Sequence, residues 1–194
     1  RFNFRLGLRT EYDTFTENFN IAPRLKATYD IFGDQKTSVT GGFNRYYSSS
    51  LLANKLREGR TPAYNESRTP FLNEPTEWKP NLITSSYRYN FSDLKTPYTD
   101  EFVVALDQQM FGGLLSLQFI NRETLDDFRT FRTETQKDGY RHYKLINGGR
   151  GSYQSVQVKW NKAWKRHSVM FNGMWQDSKA SESSYDSSFS LEDL

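Results

Sequence analysis

The sequence predicts an all-β fold: an antiparallel transmembrane β-barrel segment with long extracellular loops. Three observations predict it. Segments of roughly ten residues alternate apolar and polar side chains, glycine-bearing turns separate several of them, and aromatic residues are plentiful in an otherwise polar chain. The first run, Phe2-Asn3-Phe4-Arg5-Leu6-Gly7-Leu8-Arg9-Thr10-Glu11-Tyr12, carries the pattern most clearly. Its even positions are Phe, Phe, Leu, Leu, Thr and Tyr, and its odd positions are Asn, Arg, Gly, Arg and Glu. A strand turns successive side chains to opposite faces, so this segment has one apolar wall and one charged wall. At about 3.3 Å per residue it is long enough to cross a bilayer when tilted.

Composition fits that reading. The chain is 36% hydrophobic and 16% aromatic over 194 residues, with a mean hydropathy of −0.82, so it has little aliphatic material for a dry core. A barrel with a wet lumen needs only one apolar face per strand and gathers aromatic residues at its two interfaces. A loop-rich soluble β-sandwich is the other fold that this composition permits. No stretch approaches the ~20 apolar residues of a membrane helix, so a spanning structure has to be β. Cysteine is absent, which removes disulfides and thiolate metal sites. The net charge of +3 is small and mixed in sign along the chain, which argues against a nucleic-acid partner. Arg1 falls inside an alternating strand, so no signal peptide is expected within these residues.

The strands follow in order. Ile21, Pro23, Leu25, Ala27, Tyr29 and Ile31 oppose Arg24, Lys26, Thr28 and Asp30. A polar turn, Phe32-Gly33-Asp34-Gln35-Lys36, leads into Thr37 to Tyr47, where Val39, Gly41, Phe43 and Tyr47 share a face that Arg45 interrupts. Residues 48–96 lose the alternation and, with Pro97 at the exit, hold Pro62, Pro70, Pro75 and Pro80. They read as a long extracellular loop, with Leu82 to Phe91 as a candidate strand inside it. From Thr99 to Met110, Phe102, Val104 and Leu106 oppose Glu101, Val103, Ala105 and Asp107. Phe111-Gly112-Gly113 is a tight-turn signal, after which Leu115, Leu117 and Phe119 face away from Ser116, Gln118 and Arg122, with Ile120 out of pattern. Residues 126–151 read as a second long extracellular loop. The last hairpin, Ser152 to Asp177, sets Val156, Val158 and Trp160 against Val169, Phe171, Gly173 and Trp175.

Short turns near Gly33, Gly112 and Lys165 alternate with longer links at 13–20, 48–96 and 126–151. Bacterial outer-membrane barrels show this rhythm, with short periplasmic turns and long external loops. On that assignment Trp160 and Trp164 lie at the periplasmic interface, and Tyr12, Tyr46, Tyr47 and Tyr98 near the outer one. About seven spanning strands result, an odd number, whereas closed bacterial single-chain barrels have even numbers. The expectation is a partial β-barrel domain over residues 1–194, a piece of a larger barrel.

At this point the residues resemble a known family. Asn20-Ile21-Ala22-Pro23-Arg24-Leu25 through Tyr29-Asp30, following Leu6-Gly7-Leu8-Arg9, is similar to a descending strand in the barrel of TonB-dependent outer-membrane receptors. Thr37-Ser38-Val39-Thr40-Gly41-Gly42-Phe43-Asn44-Arg45-Tyr46-Tyr47 is similar to the next rising strand, a glycine-rich run into an aromatic and basic end. Leu94-Lys95-Thr96-Pro97-Tyr98-Thr99-Asp100-Glu101-Phe102-Val103-Val104-Ala105-Leu106-Asp107 resembles the segment where a Leu-Lys-Pro stretch leads to an acidic residue and a descending strand. The resemblance implies a barrel of about 22 strands with a plugged lumen. It implies energised uptake of a bulky nutrient such as an iron–siderophore complex in the bacterial outer membrane. It also implies contacts with lipid and lipopolysaccharide, and a partnership with TonB through the plug and its TonB box. Neither plug, TonB box nor closing strand with a terminal aromatic has a counterpart in these residues, which end Leu191-Glu192-Asp193-Leu194. The resemblance thus covers a barrel segment alone, and siderophore, haem, cobalamin and oligosaccharide all stay open as ligands.

No catalytic constellation is legible, and the chain reads as non-enzymatic with no cofactor and no metal site. His142 and His167 have no triad partners nearby, and neither Asp126-Asp127 nor Asp100-Glu101 has the spacing of a calcium loop. The basic and aromatic residues of the loops are the candidate ligand-binding set: Arg57, Arg60, Tyr64, Arg68, Trp78, Lys79 and Tyr87 in the first, Arg141, Tyr143 and Arg150 in the second. Arginine forks match carboxylate-like anions and aromatic rings stack on planar ligands, while a solvated loop touching lipopolysaccharide is the plainer role for the same residues. Arg5, Arg9, Arg24, Lys26, Glu101 and Asp107 share the lumen side, since a charge on the lipid face costs roughly 2–4 kcal/mol at mid-membrane. They are expected to form interstrand ladders or to face the plug. The alternative function is a soluble β-sandwich binding module that recognises its ligand through the 48–96 loop.

Overall fold

The computed structural model describes residues 1–48, 65–67, 79–81, 87–90, 93–132, 141–181 and 188–189. All regular structure among them is β. The strands are β1 (Phe2–Asp13), β2 (Asn18–Asp30), β3 (Thr37–Tyr47), β4 (Asn65–Ser67), β5 (Lys79–Asn81), β6 (Tyr87–Asn90), β7 (Tyr98–Met110), β8 (Gly113–Arg132), β9 (Arg141–Trp164), β10 (His167–Ala180) and β11 (Ser188–Phe189). The chain divides into two compact units. The first comprises Arg1–Ser49, Lys95–Asp127 and Gly148–Ser181, and the second Ser50–Leu94, Phe128–Asn147 and Glu182–Leu194.

In the first unit a seven-stranded sheet runs in the order β1-β2-β3-β7-β8-β9-β10. The pairs β1–β2, β2–β3, β3–β7, β7–β8 and β9–β10 are antiparallel. The register carries the alternation of each strand into rows across the sheet. Leu6 pairs with Leu25, Leu25 with Phe43 and Phe43 with Phe102. Val39 pairs with Leu106 and Leu106 with Leu117. One face is therefore apolar from strand to strand, and it stays open: Leu6 is 69% exposed and Phe102 49%. On the other face Thr28 meets Thr40, Asp107 meets Ser116 and Glu101 meets Arg122. Ile120, out of pattern in the sequence, pairs there with Val103. Buried apolar residues are correspondingly few among those described: Ala22 in the first unit, and Leu94, Phe128 and Leu145 in the second.

Side chains shape the connections. The Asp13 carboxylate accepts the amides of Phe15 and Thr16 at 2.8 and 2.9 Å, which folds the β1–β2 link into a tight turn closed by Glu17 at φ 57°. The longer link expected at 13–20 is thus a short hairpin, and strict alternation of short and long connections does not hold there. Asp30 organises the β2–β3 turn in the same manner, accepting the amides of Gly33 and Gln35. Phe111 and Gly112 join β7 to β8 at φ 55° and 69°, the positive angles that match strand twist in a two-residue hairpin.

A second departure concerns residues 126–151, expected as a loop. β8 continues to Arg132 and β9 begins at Arg141, so most of that stretch is strand. Ladder hydrogen bonds join backbone to backbone and need no alternation of side chains, so the sequence pattern fades before the strand does. In the second unit β6 pairs in parallel with the start of β9, and β11 in parallel with Thr130 and Phe131 of β8, while β4 and β5 pair antiparallel. β6 falls inside the Leu82 to Phe91 segment expected as a strand.

Candidate ligand-binding face

The polar face of the first unit is organised by one carboxylate. Glu101 on β7 is 6% exposed, and burial at that level requires its oxygens to be satisfied. Its register neighbours supply the donors. Asn44 Nδ2 donates to Oε1 at 3.0 Å, the Tyr46 hydroxyl donates to the same oxygen at 3.2 Å, and Arg122 Nε donates to Oε2 at 2.6 Å. The alternation puts Asn44, Tyr46, Glu101 and Arg122 on one face, and the register aligns them. The Arg122 guanidinium lies 5.4 Å from the Tyr153 ring centroid on β9, and the Arg24 guanidinium 5.4 Å from that of Tyr46.

Beside this cluster opens a cleft of about 590 Å³, lined by Tyr46, Thr99, Arg122, Thr124, Asp127, Gly151, Ser152, Tyr153, Ser178, Lys179 and Ala180. Thr99 and Thr124 share a hydrogen bond of 2.9 Å across its floor. Asp127 reaches the cleft because Asp126 takes φ 55°, a bulge conformation that shifts the alternation by one residue. Gly149 accommodates the result: a Cβ there would stand 2.9 Å from the Cβ of Asp127. Two tyrosine rings, several hydroxyls and a fixed guanidinium give the cleft a lining suited to a polar ligand with planar portions.

The loop residues singled out in the sequence are distributed otherwise. Arg57, Arg60, Tyr64, Arg68 and Trp78 lie outside the described residues. Lys79 is on β5, in register with Ser67 of β4. Tyr87 on β6 is in register with Arg141 on β9, and Tyr89 with Tyr143, so the second unit brings three of the named residues into one small patch of strand. Arg150 lies on β9 in the first unit and lines a second cleft of about 430 Å³ with Glu123, Leu125 and Ser152. Strand parity places it on the face opposite to Glu101. Of the charges expected on the lumen side, Glu101 is paired as described, Asp107 accepts from Ser116, and Arg9 pairs with Glu11 at 2.7 Å. Arg5 stands directly opposite Lys26, a like-charge pairing rather than a ladder of opposite signs. Sequence reasoning does not single out Tyr153, Thr124 or Asn44 as site residues. Their shared parity is the available signal, and it identifies a face without saying which residues meet.

No family model matches the chain. Over 131 residues, 66% of its length, it is 30% identical to the uncharacterized protein YddB of Escherichia coli strain K12, of which this stretch covers 15%. In fold it is similar to the crystal structure of the outer membrane transporter YddB from Escherichia coli, with a TM-score of 0.69 and 22% identity, covering 91% of this chain and 23% of that one. It is also similar to the siderophore receptor PirA from Pseudomonas aeruginosa, with a TM-score of 0.56 and 12% identity, covering 92% of this chain and 32% of that one. The chain thus spans a minor part of the proteins it matches. At these identities the likeness is one of fold: the seven-stranded antiparallel sheet is an architecture found within an outer-membrane transporter and a siderophore receptor.

Proposed function

We propose that this chain is a portion of the transmembrane barrel wall of a TonB-dependent outer-membrane receptor that takes up a bulky nutrient. The observation that carries this reading is the register-aligned separation of the two faces. One face of a single sheet presents exposed Phe, Leu and Val from β1 to β8, while the other presents charges, hydroxyls and the Glu101 cluster. Hydrocarbon outside and water inside is the environment that suits such a sheet without a second layer. The similarity to an outer membrane transporter and a siderophore receptor supports the same reading. On this reading the complete barrel has about 22 strands around a plugged lumen, TonB acts through the plug, and the cargo is a chelate of the siderophore kind. The 48–96 segment and the Tyr87–Arg141 patch then face the cell exterior, where the ligand arrives. Spin labels at Leu6, Leu25 and Phe43 of the complete protein in vesicles test it. Collisions with oxygen dissolved in the acyl chains are expected, and a buried signal shielded from oxygen would overturn it.

A second reading is favoured by the openness of the sheet. Its path ends at β1 and β10 with no pairing between them among the described residues, which fits an independent binding module as readily as a portion of a barrel. That module would recognise its ligand through residues 48–96. It requires this chain alone to refold cooperatively in detergent-free buffer. An aggregate that binds apolar dyes would remove it.

A further inference from the structure

The β9–β10 hairpin has no acidic residue between Ser152 and Gln176, yet it holds Lys159, Lys162, Lys165, Arg166 and His167. Most of that charge gathers at its closed end. The Lys162 ammonium donates to the Phe111 carbonyl in the neighbouring β7–β8 turn at 2.9 Å, and Trp160 Nε1 donates to the Met110 carbonyl at 3.4 Å. Two turns thereby form one surface. The Lys162 ammonium is 5.9 Å from the Trp164 ring centroid, and the His167 ring is 5.7 Å from the same tryptophan. Lys165 and Arg166 are exposed, and among the described residues neither has a carboxylate partner. Around these cations stand open apolar side chains: Phe111 is 77% exposed, Phe171 60% and Trp164 43%.

Cations without counter-ions, set among exposed aromatic rings, match a bilayer interface, where phosphate and hydrocarbon lie a few ångströms apart. Trp160 is in register with Phe171 and Lys162 with Val169, so the basic tip continues directly into the apolar face. An acidic protein would satisfy the charge but would leave those rings in water. We infer that this hairpin tip binds the phosphodiester headgroup of an anionic glycerophospholipid, with Lys162, Lys165 and Arg166 around the phosphate and Trp164 at the glycerol level. The inference rests on the membrane reading above and adds to it a lipid selectivity confined to the end of the sheet with the β7–β8 and β9–β10 turns.

The test uses the complete protein reconstituted in an equimolar bilayer of phosphatidylcholine and phosphatidylglycerol, with bromine on the acyl chains of one lipid or the other. The Trp164 signal is the part of the fluorescence that Trp164→Phe removes. Brominated phosphatidylglycerol is expected to quench it more than brominated phosphatidylcholine. The preference should fall by about fivefold or more in Lys165→Gln/Arg166→Gln, given the usual effect of each cation beside an anionic surface. It should survive in Lys165→Arg/Arg166→Lys and weaken as sodium chloride rises. Equal quenching by the two lipids in the unaltered protein, at any salt concentration, would overturn the inference while leaving the membrane reading intact. Quenching by neither would overturn both. A preference abolished by inorganic phosphate, but not by chloride at matched ionic strength, would assign the tip to free phosphate and reject the lipid.

Discussion

Arg45 and Asp100 face each other across β3 and β7, joined by two hydrogen bonds of 2.7 Å each, from Nε to Oδ1 and from Nη2 to Oδ2. The guanidinium also lies 4.1 Å from the Tyr98 ring centroid. This pair accounts for the interruption in the apolar face of β3. A charge sits among Phe43, Val39 and Tyr47 because the neighbouring strand places its counter-charge in register. Fork geometry and partial burial make such a pair stronger than an ordinary surface contact. Asp100→Asn is expected to cost about 1–2 kcal/mol, measured by urea unfolding of the complete protein in detergent. Arg45→Gln/Asp100→Asn should recover part of that loss, since no lone charge is then left on the face.

Glu101 serves the opposite face. Its substitution by Gln removes the charge that Arg122 answers while keeping the shape, and it exchanges an acceptor for a donor beside Asn44 and Tyr46. A loss of about 2–3 kcal/mol in stability is expected, the range for hydrogen bonds to charged groups. Arg122→Ala should cost comparably, and the double variant less than the sum, because the two residues share one interaction. A strictly additive double-mutant cycle would remove Glu101 as the organiser of the cleft.

Gly149 is required by contact. A methyl group there would meet the Cβ of Asp127 at 2.9 Å and its carbonyl oxygen at 3.0 Å, and one of these is backbone that cannot swing away. Gly149→Ala is expected to destabilise by about 1–3 kcal/mol through overpacking. Gly41, where a Cβ would have nothing within 4 Å, is the control, and Gly41→Ala should be near neutral.

Asp34 in the β2–β3 turn accepts the Lys36 amide at 3.0 Å. That backbone hydrogen bond, ahead of the Lys36 side chain and charge, holds its carboxyl below the ordinary value of 3.8. With the folded value depressed, the contribution to stability is present above the unfolded value and is lost as pH falls through the folded one. An NMR titration of Asp34 should therefore have its midpoint below 3.8. Lys36→Ala should leave a downward shift, since the amide remains, whereas Lys36→Pro should abolish it.

Much of this molecule is legible in its amino-acid sequence. Which residues form strands, and which side of each strand is apolar, follow from alternation. That is a local property of extended backbone, and it identifies β1, β2, β3, β7 and β10 nearly to their ends. Parity also places Glu101, Arg122 and Asn44 on one face. What alternation leaves undetermined is who stands beside whom, because register depends on turns and on ladder hydrogen bonds between residues far apart in the chain. Only the tertiary structure sets Arg45 against Asp100, Arg5 against Lys26 and Tyr87 beside Arg141. It also carries β8 and β9 past the point where side-chain pattern ends, because backbone groups go on pairing wherever their neighbours are aligned, whatever the side chains do.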